Sequence, residues 1–199
     1  MVQYGRQFIL VNNMFIQNGS FQKFTHIISY VPVRITQQPL SATVGVGTNH
    51  IFTIKIVGSI PRTYQWYRNN FPLTGKTTDT LLLSSLSDTD TALYHCRVGN
   101  NSYSYNSEFV QLSVLNYPNI IIQPESVITP TGSSAYFSVS AGGSPELIYK
   151  WYKNNLLTTA YTSAYYIINA NLEEVGNYFV VVSNLVGSVT SNTVSLSVS

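Results

Sequence analysis

Apolar and polar residues alternate along most of the chain, and two stretches do so in the same way. Ile51-Phe-Thr-Ile-Lys-Ile-Val57 alternates, breaks at Gly58-Ser-Ile-Pro61 and resumes as Tyr64-Gln-Trp66-Tyr-Arg68 before Asn69-Asn70. Tyr136-Phe-Ser-Val139-Ser-Ala141 breaks at Gly142-Gly-Ser-Pro145 and resumes as Tyr149-Lys-Trp151-Tyr-Lys153 before Asn154-Asn155. A period of two, punctuated by Gly, Pro and Asn-Asn, predicts strand, turn, strand and tight turn in each copy. Trp66 and Trp151 are 85 positions apart, as are Phe52 and Phe137, and Gln38-Pro39 and Gln123-Pro124; Tyr94 and Tyr178 are 84 apart. An offset held over the whole copy marks a duplicated unit.

The remaining segments read as strands as well. In the first copy they are Ile35–Pro39, Thr80–Ser85, Asp88–Val98 and Phe109–Val114; in the second, Ile121–Pro124, Ala164–Asn169, Glu174–Asn184 and Asn192–Val198. With many short strands between turn signals and no helical period, the expected class is all-β, with two tandem antiparallel sandwiches at 33–115 and 120–199. The linker 116–119 carries Pro118, which pushes Tyr117 toward an extended conformation. Residues 1–32 fall outside the repeat. Phe8–Val11, Met14–Gln17 and Ser20–Val31, separated by Asn12-Asn13 and Asn18-Gly19, predict a short N-terminal β-arm of two or three strands. So small a meander needs a surface to dock on. Phe8, Ile9, Phe15, Ile16, Phe21 and Phe24 are its candidate anchor, either on a partner or on the first domain of the same chain.

Only 9% of the residues are charged, so the polar surface is made of Ser, Thr, Asn, Gln and fifteen tyrosines, against a usual charged share of about a quarter. The net charge of +2 is scattered without a basic stripe, which argues against nucleic acid as a partner. No apolar run reaches the ~20 residues that span a bilayer, so membrane insertion is not expected, and the amino terminus lacks the pattern of an export signal. His26, His50 and His95 lie on separate segments without metal-ligand spacing. Asp88, Asp90, Glu173 and Glu174 sit where turn caps are needed. No nucleophile motif or phosphate loop is present, so neither an enzyme nor a cofactor is expected. One loop has the composition of an adaptable contact surface: Val98–Ser107, with Asn100, Asn101, Tyr103 and Tyr105 as candidate partner contacts.

The paired strands Tyr64–Asn70 and Tyr149–Asn155, the corner Asp90-x-x-x-Tyr94-x-Cys96 and its twin Glu174-x-Gly176-x-Tyr178-x-Val180 resemble the immunoglobulin superfamily, in the I-set-like form of bacterial surface and bacteriophage virion proteins. The resemblance implies a core of Trp66, Trp151, Tyr94 and Tyr178, with each tyrosine hydroxyl bonded back to the turn before it. It also implies a cysteine pair in each domain. Here Ile54 faces a lone Cys96, and Val139 and Val180 fill both positions in the second domain, so neither domain forms the family's disulfide. The absence of disulfides and of an export signal leads to the expectation of a bacteriophage structural protein. It would be a capsid decoration or head-fibre protein on the virion surface, bound to capsid proteins through the arm and touching host glycan or protein through its domains. The alternatives are a bacterial cell-surface adhesion module and a tail or baseplate accessory protein.

Overall fold

The structure, a computed structural model, describes the backbone of residues 12–17 and 20–25 and all of residues 31–199. β1 (Asn12–Gln17) and β2 (Ser20–Thr25) form an antiparallel hairpin whose register sets Ile16 opposite Phe21 and Phe15 opposite Gln22. Asn12 and Asn13, expected as a turn, belong to β1, facing Thr25 and Phe24. Of the candidate anchor residues, Phe8 and Ile9 lie outside the described residues.

The first sandwich comprises β3 (Arg34–Gln37), β4 (Ala42–Gly45), β5 (His50–Thr53), β6 (Lys55–Val57), β7 (Thr63–Arg68), β8 (Phe71–Pro72), β9 (Thr80–Leu83), β10 (Ala92–Gly99), β11 (Ser104–Asn106) and β12 (Val110–Leu115). The second repeats it with β13 (Asn119–Ile122), β14 (Val127–Thr129), β15 (Ala135–Ser138), β16 (Ser140–Gly142), β17 (Ile148–Lys153), β18 (Leu156–Leu157), β19 (Ala164–Ile167), β20 (Gly176–Asn184), β21 (Gly187–Thr190) and β22 (Val194–Val198). One sheet of each runs β4-β12-β10-β7-β8 or β14-β22-β20-β17-β18. The facing layer is made of the pairs β3-β6 and β5-β9, or β13-β16 and β15-β19.

The strand expected over Ile51–Val57 is divided at Ile54, which instead gives its N–H to Asp79 (2.9 Å); Val139 does the same to Ser163 (2.9 Å). The division lets one strand serve two partners. The strand expected over Thr80–Ser85 stops at Leu83, because Ser85 adopts φ 50° and gives its N–H to the Asn49 side chain (2.9 Å).

Each sandwich is crossed by its own first strand. After β3 the chain leaves one sheet at Pro39 and pairs in parallel with β12 as β4; after β13 it leaves at Pro124 and pairs in parallel with β22 as β14. Proline has no N–H for the ladder and so ends the first pairing. The preceding glutamine ties the crossing down: Gln38 Oε1 accepts from Glu108 N–H (3.1 Å) and Gln123 Oε1 from Asn192 N–H (2.8 Å). Gln-Pro, a mere register mark in the sequence, is the device that moves the strand between layers.

The core is the same in both copies. Trp66 and Trp151 are fully buried, and their indole N–H groups donate to Thr78 O (2.9 Å) and Thr162 O (3.0 Å). Phe52 packs on Trp66 and Tyr94 at ring separations of 6.1 and 5.3 Å, and Phe137 on Trp151 and Tyr178 at 6.1 and 4.7 Å. Each such aromatic contributes a few kcal/mol through the area it removes from water. Tyr178 donates its hydroxyl to Glu174 O at 2.6 Å, pinning the corner before β20. Ile54, Cys96, Val139 and Val180 are all buried. Burial pushes the Cys96 thiol up to about 12, which makes it an apolar packing group rather than a nucleophile.

A serine ties down the strand at the position of each missing disulfide. Ser107 Oγ accepts the Cys96 N–H (2.9 Å) and donates to Glu108 O (2.9 Å); Ser191 Oγ accepts the Val180 N–H (3.0 Å) and donates to Asn192 O (2.9 Å). Both serines are buried.

On the outer face of β10, His95 is 4% exposed and stacks on Tyr67 (4.8 Å, 5°), with Phe109 tilted against it (4.4 Å). The second sandwich places Phe179 on Tyr152 in the same geometry (4.9 Å, 5°). His95 Nδ1 is buried with no hydrogen-bond partner, and desolvation lowers its pKa from 6.5. The unfolded chain therefore takes up the proton more readily. Stability falls as pH drops through 6.5 and stops falling once the folded form is also protonated. His95→Phe is expected to reduce this acid loss, leaving the share of His50, whose pKa burial also lowers, and to raise stability at pH 5 by about 1 kcal/mol, by removing an unsatisfied buried atom. Urea denaturation at pH 5 and pH 8 measures both effects.

Candidate interaction surface

The loop with binding-surface composition is a hairpin held by its own first residue. β10 and β11 pair Val98 with Tyr105 and Gly99 with Ser104, and Asn100 N–H closes the loop on Tyr103 O (2.8 Å). The Asn100 side chain is engaged on both atoms. Its Oδ1 accepts from Ser102 N–H (3.1 Å) and Tyr103 N–H (3.0 Å), while its Nδ2 donates to Val31 O (3.2 Å) and Ser59 O (3.4 Å). Ser59 and Val31 are bonded to each other as well, N–H to O at 3.1 Å and N–H to Oγ at 2.9 Å. Asn100 thus fixes the hairpin rather than standing free at its surface.

Those neighbours are presented. Asn101 and Tyr105 are exposed, Tyr105 at 47%, and Tyr103 is half-buried. Beside the hairpin lies the loop 58–62. Ile60 stands 76% exposed at its tip, and Arg62 folds back to donate from Nε and Nη2 to Gly58 O (3.1 and 2.8 Å). Gly58 adopts φ 134°, and a Cβ there would lie 2.8 Å from Pro32 O, so glycine is required. Arg97 holds Ser104 Oγ at 3.0 Å. The hydroxyl of Tyr64 titrates above 10.0, chiefly through burial, with Asp79 adding to the shift. Two cations and two tyrosines thus stand near an exposed apolar tip. Among the described residues no three His, Cys, Asp or Glu side chains gather as metal ligands. Nor is any helix there long and apolar enough to cross a membrane.

The second sandwich builds the same loop without the tyrosines. Asn184 Nδ2 donates to Asn116 O (2.8 Å) and Ser144 O (3.1 Å), and its Oδ1 accepts from Val186 and Gly187 (3.0 and 3.2 Å). In the two hairpins Gly187 stands where Tyr103 does, and Val189 where Tyr105 does. A Cβ on Gly187 would come within 2.8 Å of the Tyr117 ring. The twin clamps were missed in the sequence, although Val98-Gly-Asn100 and Val182-Ser-Asn184 carry the signal.

Residues 33–114 match the family Immunoglobulin I-set domain, and residues 117–184 match the family Immunoglobulin domain. The chain is built of tandem immunoglobulin-like domains. It is 27% identical over 186 residues to the human mucosa-associated lymphoid tissue lymphoma translocation protein 1, covering 85% of this chain and 23% of that protein. It is 25% identical over 172 residues to mouse neogenin, covering 76% and 12%, and 30% identical over 122 residues to endoglucanase C of Cellulomonas fimi, covering 59% and 11%. The chain thus spans less than a quarter of the length of these relatives. Among solved structures, domains 1–4 of sidekick-1 superpose with a TM-score of 0.75 at 19% identity, covering 92% of this chain and 55% of that one. An I-band fragment of titin gives 0.70 at 22%, covering 84% and 65%. A chain of the complex of Dpr11 with DIP-gamma gives 0.55 at 19%, covering 83% and 98%.

These findings overturn the expectation of a bacteriophage capsid decoration or head-fibre protein. The relatives and structures named here are for the most part eukaryotic immunoglobulin-domain proteins, and none of those named is a virion component. The error came from giving weight to absent disulfides. A serine hydrogen bond and a filled core serve in their place, so their absence says nothing about where such a domain is made. Neither matching family is a catalytic one.

Proposed function

We propose that this chain is a non-enzymatic recognition segment that binds a partner protein at a cell surface through the hairpin 98–107 of its first domain and the adjoining tip at Ile60. The observation that carries this reading is the contrast between the two copies. The same hairpin, fixed by the same asparagine clamp, carries Tyr103 and Tyr105 in one domain and Gly187 and Val189 in the other. Tyrosine gives large contact area at low entropic cost, and Arg62 and Arg97 beside it favour a partner with acidic groups. Support comes from the Dpr11 complex, in which an immunoglobulin domain is bound to another immunoglobulin protein.

A tetramer of the chain, applied to a panel of cultured cells, tests the reading. Staining by the Tyr103→Ala/Tyr105→Ala variant is expected to fall at least tenfold, since central aromatic contacts cost ~2 kcal/mol or more when truncated. Protease treatment of the cells should abolish staining, and glycosidase treatment should leave it intact. A folded double variant that stains like the parent chain would remove the proposal.

A further inference from the structure

Leu115 and Asn116, neighbours in the chain, are fastened to different sandwiches. Leu115 ends β12, and its carbonyl accepts from Val46 N–H (3.0 Å). Asn116 N–H donates to Ser144 Oγ (2.8 Å), and Asn116 O accepts from Ser144 N–H (3.2 Å) and Asn184 Nδ2 (2.8 Å). Rotation at this junction is therefore confined to the few backbone bonds that join the two residues.

Tyr117 stands against that rotation. Its ring lies over Gly45, the last residue of β4, and Gly187, the first of β21. A Cβ at Gly45 would overlap the hydroxyl end of the ring, and one at Gly187 would come within 2.8 Å of its Cδ1. Neither glycine adopts a positive φ, so the backbone does not demand glycine at either position. The close approach of the ring does. All three residues fall in one compact unit of the chain, made of residues 41–50, 83–92 and 112–199. Tyr117 is 44% exposed and belongs to neither core, so its contacts serve the junction rather than either sandwich.

The repeat has no second set of these residues. Shared hydrogen bonds and strand pairings put Pro32 at the position of Tyr117, Pro130 at that of Gly45 and Tyr103 at that of Gly187. They lie 85, 85 and 84 positions apart. Ring and glycines were thus not copied with the fold, and three coupled differences at one contact mark a fit among these residues in particular.

We infer that Tyr117 is a conformational lock: seated on Gly45 and Gly187, its ring blocks rotation about the bonds joining Leu115 to Asn116 and makes the junction stiff. Tandem domains otherwise move relative to one another by default. The inference is independent of the hairpin 98–107.

Amide nitrogen relaxation of the full chain gives a rotational correlation time for each sandwich. One shared value is expected for the parent chain and for Tyr117→Phe, which keeps the ring. Tyr117→Ala is expected to separate the two values and shorten both, by up to about twofold as each sandwich comes to tumble with about half the mass. Its urea midpoints should stay at the parent values, since no core residue changes. Gly45→Ala and Gly187→Ala should each reproduce the separation by displacing the ring. In a Tyr117→Ala background neither should add to it, because the new methyl group then meets no ring; such non-additivity marks a direct contact. Unequal values in the parent chain overturn the inference. So does a Tyr117→Ala variant that tumbles like the parent, or a shared value that survives either glycine substitution while Tyr117 is present.

Discussion

Replacing Trp151 with alanine is expected to destabilise the second sandwich by about 3–5 kcal/mol, the usual cost of a large cavity in a packed core. Trp151 is fully buried, touches Phe137 and Tyr165, and donates its indole N–H to Thr162. The substitution therefore removes both packing and a hydrogen bond from a domain whose whole stability is of the order of 5–10 kcal/mol. The chain has two tryptophans, so Trp66 becomes the sole indole in the variant and its fluorescence reports the first sandwich alone. Urea titration should show fluorescence unfolding near the parent midpoint. Circular dichroism should show an added transition at lower urea. Coincident transitions at the parent midpoint would mean that the cavity is filled by relaxation and that Trp151 is not central to the core.

Ser191→Ala should cost about 1–3 kcal/mol, far more than an ordinary exposed serine. Its hydroxyl is the acceptor for the buried Val180 N–H and the donor to Asn192 O. Alanine fits the space but leaves that N–H without a partner in a dry interior. Ser107→Ala should behave alike toward the Cys96 N–H. Ser126→Ala is the contrast. Its Oγ accepts the Ser195 N–H at an exposed site, where water can take over the bond, and the change should stay within about 0.5 kcal/mol. Denaturant midpoints of the three variants compare them directly. Equal effects at Ser191 and Ser126 would show that burial of the bond is immaterial.

Much of the fold was legible because its determinants are local or periodic. The duplication follows from spacing in the chain, the core tryptophans and the tyrosine corner from the resemblance to the immunoglobulin superfamily, and the tight turns at Asn69-Asn70 and Asn154-Asn155 show the positive φ that such turns require. The second, parallel pairing of β4 and β14 was not legible. Val127–Thr129 is too short to show a period, and its partner Leu196–Val198 lies about seventy positions away. Asn100 was read as a contact residue on composition, whereas its amide is committed to Val31 and Ser59, which no local pattern reveals.

By itself, the sequence determined that this chain is all-β and duplicated and that no disulfide joins the strands within either domain. These follow from alternation, from the 85-residue offset and from a single cysteine. The tertiary structure alone decided which polar residues are free to meet a partner. Asn100, Asn184, Ser107 and Ser191 look like surface residues in the chain, yet each answers a backbone group brought to it from a distant segment. Tyr105 and Ile60 stay exposed. The physical reason is that a buried N–H or C=O must be paired, and which side chain pairs it depends on how strands far apart in sequence meet.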